Sequence, residues 1–210
     1  MIREREQHLF SYSFFMKTAF ANELIDKKYG GILRRIAAYS IDCVLLLFGV
    51  VVLQIILLKI NPLIATMRNG QQPTPTQVHL WVFLTATTPF VVYFALFVWS
   101  SRRATIGMRL FRLKIEDANG GSVGLGRSFL RSVVMFIPFE LNHTVMFHLG
   151  PRGGPPSPVF VIGIVLVWVV IAIYIGSILA TKQRQSLHDL AAGTVVCLIP
   201  AKSTGYPQSN

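Results

Sequence analysis

Residues 36–58 read IAAYSIDCVLLLFGVVVLQIILL, 23 residues that carry one ionisable side chain, Asp42. A helix of about 20 apolar residues crosses the hydrocarbon core of a bilayer, so this run is long enough to span one. Residues 78–99 and 159–180 form two further runs of this kind. Hydrophobic residues make up 52% of the 210 and charged residues only 14%. Apolar content gathered into long runs, instead of short periodic faces, indicates spanning helices. A carboxyl group in mid-membrane costs about 2.5–3.5 kcal/mol on insertion scales. Asp42 therefore marks either a functional site or a buried pair that locks helices together, and the residues alone leave both open.

The second run contains TATTPF, in which Pro89 leaves the carbonyl of Thr85 without its helical donor; a kink is expected there. Trp81 and Trp99 lie near its two ends, as interface anchors do. Residues 133–149 (VVMFIPFELNHTVMFHL) begin apolar and then carry Glu140, Asn142, His143 and His148. Such a segment crosses a membrane only if its polar groups face protein or water. Lys and Arg number seven in residues 1–35, two in 59–77, seven in 100–132, one in 133–158 and three after 180. The basic regions are expected to be cytoplasmic. Three spans would put the C-terminus outside; four, counting 133–149 as an irregular one, would put both ends inside, and the charge rule favours four. The net charge of +11 thus reads as membrane flanks, not as a nucleic-acid interface.

Residues 1–29 form an expected cytoplasmic tail and 198–210 a C-terminal one. The first of these lacks the clean apolar core of a signal peptide. LFSYSFF (residues 9–15) is too short to span, and Met16 is an alternative start. Residues 61–77 and 150–158 are Pro-containing loops. In the basic stretch 100–132, Asp117-Ala-Asn-Gly-Gly signals a turn. Residues 108–115 (MRLFRLKI) suit either a short strand or an interfacial amphipathic segment, and Ser122 is placed to cap the next helix. Arg127 and Arg131, four apart, share a helix face. Cys43 and Cys197 show no metal or disulfide spacing and read as buried thiols.

At about 100° per residue, Arg35, Ala38, Asp42 and Gly49 fall on one narrow stripe of the first helix. Small residues there let another backbone approach, so Asp42 should face the bundle. Side chains lean toward a helix N-terminus, so Arg35 points away from Asp42 and each is expected to meet partners on other helices. Arg35 reads equally as a positive-inside flank residue. Ala172, Gly176 and Ala180 make a packing face on the last span. His188-Asp189 precedes LAAGTVVCLI, which is apolar enough to dock on the membrane or the bundle. Glu140, His143 and His148 form a loose polar group without tight metal-ligand spacing. There is no phosphate-binding Gly loop, nucleophile elbow or zinc-protease helix. No enzyme, metal or cofactor is expected.

These pieces together resemble the RDD family of bacterial membrane proteins, named for one Arg and two Asp. Its first-helix pattern R-x-x-A-x-x-I-D is RIAAYSID here, placing Arg35, Ala38 and Asp42. Its central pattern, similar to T-P-G-K-R-L-x-G-L-x-V, is TIGMRLFRLKI; Thr105, Gly107, Arg109 and Leu110 match, whereas Ile106, Met108 and Arg112 depart from it. A following L-R matches Leu130-Arg131. The closing H-D-L-L-A-G-T-V-V is HDLAAGTVV, placing the second Asp at Asp189. The resemblance covers about residues 30–197. It implies an all-α integral membrane protein of the bacterial plasma membrane, with three strong transmembrane helices and a fourth irregular segment. It also implies a suspected role in transport, with cation–proton exchange as a proposed activity.

Burial in low dielectric favours the neutral form of a carboxyl group, the form that can trade a proton for a cation. The leading expectation is a small transporter that exchanges monovalent cations for protons at Asp42, with Arg35 as counter-charge, Asp189 as a second carboxyl, and Arg131 and His188 in the same charge network. A chain this short would need to form a homo-oligomer or join other membrane proteins. The alternative is an accessory or assembly factor in which Arg35, Asp42 and Asp189 are structural clamps. A membrane enzyme using His188-Asp189 as acid and base is a third reading that no nucleophile or metal set supports.

Overall fold

A computed structural model describes residues 29–151 and 154–199. The segment 9–15, Met16 and residues 200–210 lie outside the described residues. Helix α1 spans Ile32–Ile56 and ends in a tight turn, Leu57–Lys59. A short α2, Pro62–Arg68, follows, capped by the Asn61 side chain. Helix α3 starts at a Thr74–Gln77 capping box and runs through Pro75–Val82 and Thr88–Trp99, joined by a widened turn at Phe83–Thr87. Pro89 has no N–H to return to the preceding turn, and the ladder slips by one residue, so that Thr88 N–H reaches Phe83 O. The expected kink is this widened turn.

Next come α4 (Ile106–Leu110) and β1 (Leu113–Asp117), so residues 108–115 divide between a helix end and a strand. Helix α5, Leu125–Thr144, continues through a second widened turn, Val145–Leu149. It starts at Gly124 with no side-chain cap, not at Ser122. The ambiguous segment 133–149 is therefore the outer two thirds of a helix that begins near residue 125. Helix α6 is Pro158–Ala180, with Ser157 accepting Phe160 N–H at 3.2 Å. Helix α7 (Leu187–Ala192) and β2 (Thr194–Leu198) close the domain.

Among the described residues, three helical stretches are long and apolar enough to cross a membrane: Ile32–Lys59, Pro75–Trp99 and Pro158–Ala180. Leu47, Phe48 and Ile55 of α1 and Ile162, Leu166 and Trp168 of α6 are each more than half exposed. A belt of this size has no place against water and suits a lipid solvent. Helix α5 packs against α3, α6 and α7 and turns Ser128, Arg131, Ser132 and Phe136 inward.

The two strands pair antiparallel from Leu113 with Leu198 to Asp117 with Thr194. The fold is thus mostly helical with a two-stranded sheet added. Tyr29 bridges to Cys197, and Gly30 N–H reaches Val196 O at 2.9 Å. The final apolar segment docks here, and the folded unit extends to Ile199, whose N–H binds Arg112 O at 2.7 Å. Each of the four long helices has one end at this sheet: α1 starts beside Gly30, α3 leads into α4 and β1, α5 starts after β1, and α6 leads into α7 and β2. The four long helices therefore alternate in direction, and both ends of the described domain meet at the sheet. A small apolar core of Ala38, Val98, Met108, Leu113, Ile115 and Val196 sits at that end.

Candidate functional site: two buried carboxylates

Asp42 is fully buried on α1 and, among the described residues, meets no cation. Its Oδ1 accepts the Tyr93 hydroxyl at 2.7 Å and the Gly107 N–H at 2.8 Å, and its Oδ2 accepts the Thr105 hydroxyl at 2.5 Å. Thr105 also caps α4 by accepting Met108 N–H at 3.2 Å. The T-x-G segment thus wraps its first turn around the carboxylate. This requires a glycine at 107, because a Cβ built there overlaps the Ala38 carbonyl oxygen and lies 3.0 Å from Asp42 Cγ. Ala38 is fully buried. Two distant sequence patterns, R-x-x-A-x-x-I-D and T-I-G, are one contact in space.

Asp189 is the second buried carboxylate, at the start of α7. Arg35 Nη1 donates to its Oδ2 at 3.1 Å and Arg131 Nε to its Oδ1 at 2.9 Å. Ser186 N–H binds Oδ2 at 3.2 Å and Thr194 Oγ1 binds Oδ1 at 3.3 Å. Arg131 also donates to the Tyr39 hydroxyl at 3.2 Å, and Arg35 Nε to Gly30 O at 2.8 Å. Helices α1 and α5, α7 and β2 are thereby joined at one point. Burial alone raises the Asp189 pKa, but Arg131, His188, Arg35 and the Ser186 N–H outweigh it and hold the carboxyl at about 2. His188 lies with Nε2 3.7 Å from Asp189 Oδ1. Burial pushes its pKa down to about 3, with the two guanidiniums adding to burial and only Asp189 opposing, so the ring is neutral at physiological pH.

Arg35, Arg131, His188 and Asp189 thus come together, and Asp42 stands apart with its own donors. Arg35 and Asp42 find partners on other elements, as their two-turn separation requires. Arg127, exposed one turn before the buried Arg131, donates to Ala192 O at 2.8 Å, to Gly193 O at 2.6 Å and to Asp117. Gly193 takes the left-handed conformation that ends α7, with φ at 60°. Gly49 and Gly176 are both exposed, and a Cβ at either would meet nothing within 4 Å. The α1 stripe that packs within the chain is therefore Arg35, Ala38 and Asp42, without Gly49. Likewise, Ala172, Gly176 and Ala180 form no helix contact in this chain because all three face outward.

A polar group at the far end of the bundle was only partly legible. His79 Nε2 lies 3.1 Å from Glu140 Oε2, His143 Nδ1 lies 3.2 Å from Oε1, and Thr87 Oγ1 donates to Oε1. His148 lies 3.3 Å from His79. Its members from α3, His79 and Thr87, gave no sequence signal beyond the polar run TATT. Among the described residues no group of three or more His, Cys, Asp or Glu has the geometry to hold a metal ion. Gln54, also missed, bonds Thr85 Oγ1 at 2.7 Å and accepts Trp81 Nε1 at 3.0 Å, so Trp81 is held by α1.

A mostly helical domain with three helices fit to span a membrane, an Arg and an Asp on one buried face of the first helix, and a second Asp on a terminal helix-and-strand cap defines the class. The RDD family model matches residues 29–193, and the chain belongs to that family. No curated protein and no solved structure matches it.

Proposed function

We propose that this chain is a four-pass protein of the bacterial plasma membrane, with the sheet end in the cytoplasm. It serves there as a non-enzymatic accessory or assembly factor, acting with copies of itself or with other membrane proteins. Orientation rests on charge: Arg34, Arg102, Arg103, Arg112, Lys114 and Lys182 all flank the sheet end, whereas the far loops carry few cations. The observation that carries the accessory role is that each signature residue closes a contact between elements. Arg35 and Arg131 clamp Asp189, and Asp42 holds the first turn of α4. Removing one partner of a buried charge pair costs about 3–5 kcal/mol, so these residues specify the assembly of the helices.

Transport by monovalent cation–proton exchange at Asp42 is the second reading. It is favoured by a fully buried carboxylate that is answered only by neutral donors. A cavity between α1, α5 and α6 does not include Asp42 in its lining, which weighs toward the clamp. Purified wild type and Asp42→Asn in liposomes carrying a pH-sensitive dye, under imposed Na⁺, K⁺ and Li⁺ gradients, separate the two. Cation-driven proton flux in wild type that is lost in a folded variant overturns the accessory role. A silent, well-folded wild type, with the variant depleted from membranes, supports it.

A further inference from the structure

Between α1, α5 and α6 lies a cavity of about 430 Å³, within the range of small-ligand sites. Most of its wall is apolar, with Ile36, Phe94, Phe139, Ile171 and Ile175 among its lining, and it ends at Arg35, Ser186 and His188. Ile36 and Trp168, at its rim, are 53% and 65% exposed, so the entrance is on the face turned to lipid, not to water.

The polar end is incompletely satisfied. Arg35 is 3% exposed and His188 7%, yet among the described residues Arg35 Nη2 and His188 Nδ1 have no hydrogen-bond partner. Groups so buried are normally paired. The charge is also unbalanced: two guanidiniums face one carboxylate, and among the described residues no second carboxylate meets either. With His188 neutral, one positive charge is left over in an apolar setting, where an unpaired charge is costly. We assign the His188 proton to Nε2, beside Asp189, which leaves Nδ1 as an acceptor. Both residues belong to the cavity lining while their two unpaired nitrogens lie just beneath its surface, so a side-chain shift at either brings one cationic donor and one acceptor to the base of a slot fit for a hydrocarbon chain.

We propose that this cavity binds an anionic glycerophospholipid, with one acyl chain between α1 and α6, its phosphate on the Arg35 guanidinium and a head-group hydroxyl on His188. The lipid supplies the missing negative charge and the missing acceptor together. This holds whether the protein acts as an accessory factor or as an exchanger.

The test uses Trp168 at the rim. The full chain is reconstituted in phosphatidylcholine vesicles doped with brominated-chain phosphatidylglycerol or brominated-chain phosphatidylcholine. The quenching that disappears in Trp168→Phe belongs to Trp168, and the part of it that is also lost in Ile175→Phe belongs to the cavity and not to bulk lipid. Half-quenching is expected at about fivefold less phosphatidylglycerol than phosphatidylcholine, the ratio for one lipid charge met by one cation. The preference should persist in about 1 M salt, where screening shortens to about 3 Å, and should survive excess inorganic phosphate, because a free anion lacks the chain. It should fall toward unity in Ile175→Phe, which fills the slot without touching a charge, and in Arg35→Lys, which removes Nη2. Equal quenching by the two lipids, loss of the preference in high salt, displacement by phosphate, or an undiminished preference in folded Ile175→Phe each overturns the proposal.

Discussion

The backbone N–H of Gly107 lies 2.8 Å from the Asp42 carboxylate, at a point where α4 runs so close to α1 that a methyl group has no space. Overfilling such a contact costs about 1–3 kcal/mol by forcing backbone shifts. Gly107→Ala should therefore lower the melting temperature in detergent by several degrees, whereas Gly49→Ala, on an open face, should not. Equal effects in a thermal-shift comparison would mean that the α1–α4 contact is not formed as described.

Asp189 is the carboxylate that two cations share, so its loss should be worse than the loss of either. Asp189→Asn leaves Arg35 and Arg131 buried without a counter-charge, at a cost of about 3–5 kcal/mol. Membrane abundance should fall sharply. Replacing the fully buried Arg131 by Met in the same chain should restore part of it, since an apolar side chain needs no partner there. Quantitative immunoblots of membrane fractions check both. A double variant no more abundant than the single one would argue against the clamp.

The pH dependence follows from His188 and Asp189. The folded-state pKa of His188, about 3, lies below its ordinary 6.5. Its contribution is present in full above pH 6.5 and is lost as pH falls toward 3, because the unfolded chain takes the proton first. Asp189, held at about 2 against an ordinary 3.8, adds a second loss below about pH 4. Melting temperature in detergent should thus decline between pH 6.5 and 4, and His188→Gln should flatten that decline. A wild-type profile that is already flat across this window would contradict the neutral, buried imidazole.

The proposed four-pass topology puts both ends of the domain on one side. Reporter fusions at residues 29 and 199 should share one topology, and single cysteines introduced at Thr66 and Ser157 should label from the opposite face. An N- and C-terminus on opposite sides would return α5 to a non-crossing helix.

The spanning runs were legible because length and apolarity suffice to identify them. Their starts were not: α1 begins at Ile32 and α3 at Pro75, since Arg34 and Arg35 are tolerated on a helix end where one projects to the surface and the other finds Asp189. The first turns of α5 were legible as a helix with Arg127 and Arg131 on one face, but not that this helix continues through residues 133–149, because the partners Asp117 and Asp189 of its two arginines are not visible in the sequence. The role of Asp42 was open for the same reason. Periodicity gave its face but not that the face meets Thr105 and Gly107, 63 and 65 residues away. The two glycines placed by spacing, Gly49 and Gly176, lie on outward faces, which a small-residue repeat alone cannot distinguish from inward ones.

The clamp also sets an order of events. Asp189 follows Arg35 by 154 residues, about 8–30 s of synthesis at ordinary rates of about 5–20 residues per second. Through that interval the helices between the two residues are made while both guanidiniums still lack their carboxylate. The last helix-and-strand cap, the latest part of the described domain to emerge, draws Tyr29 to Cys197 and brings the shared carboxylate to both in one step. A chain halted before residue 189 would thus hold Arg35 and Arg131 without the bond that ties them together, so the cap is the step that completes the bundle.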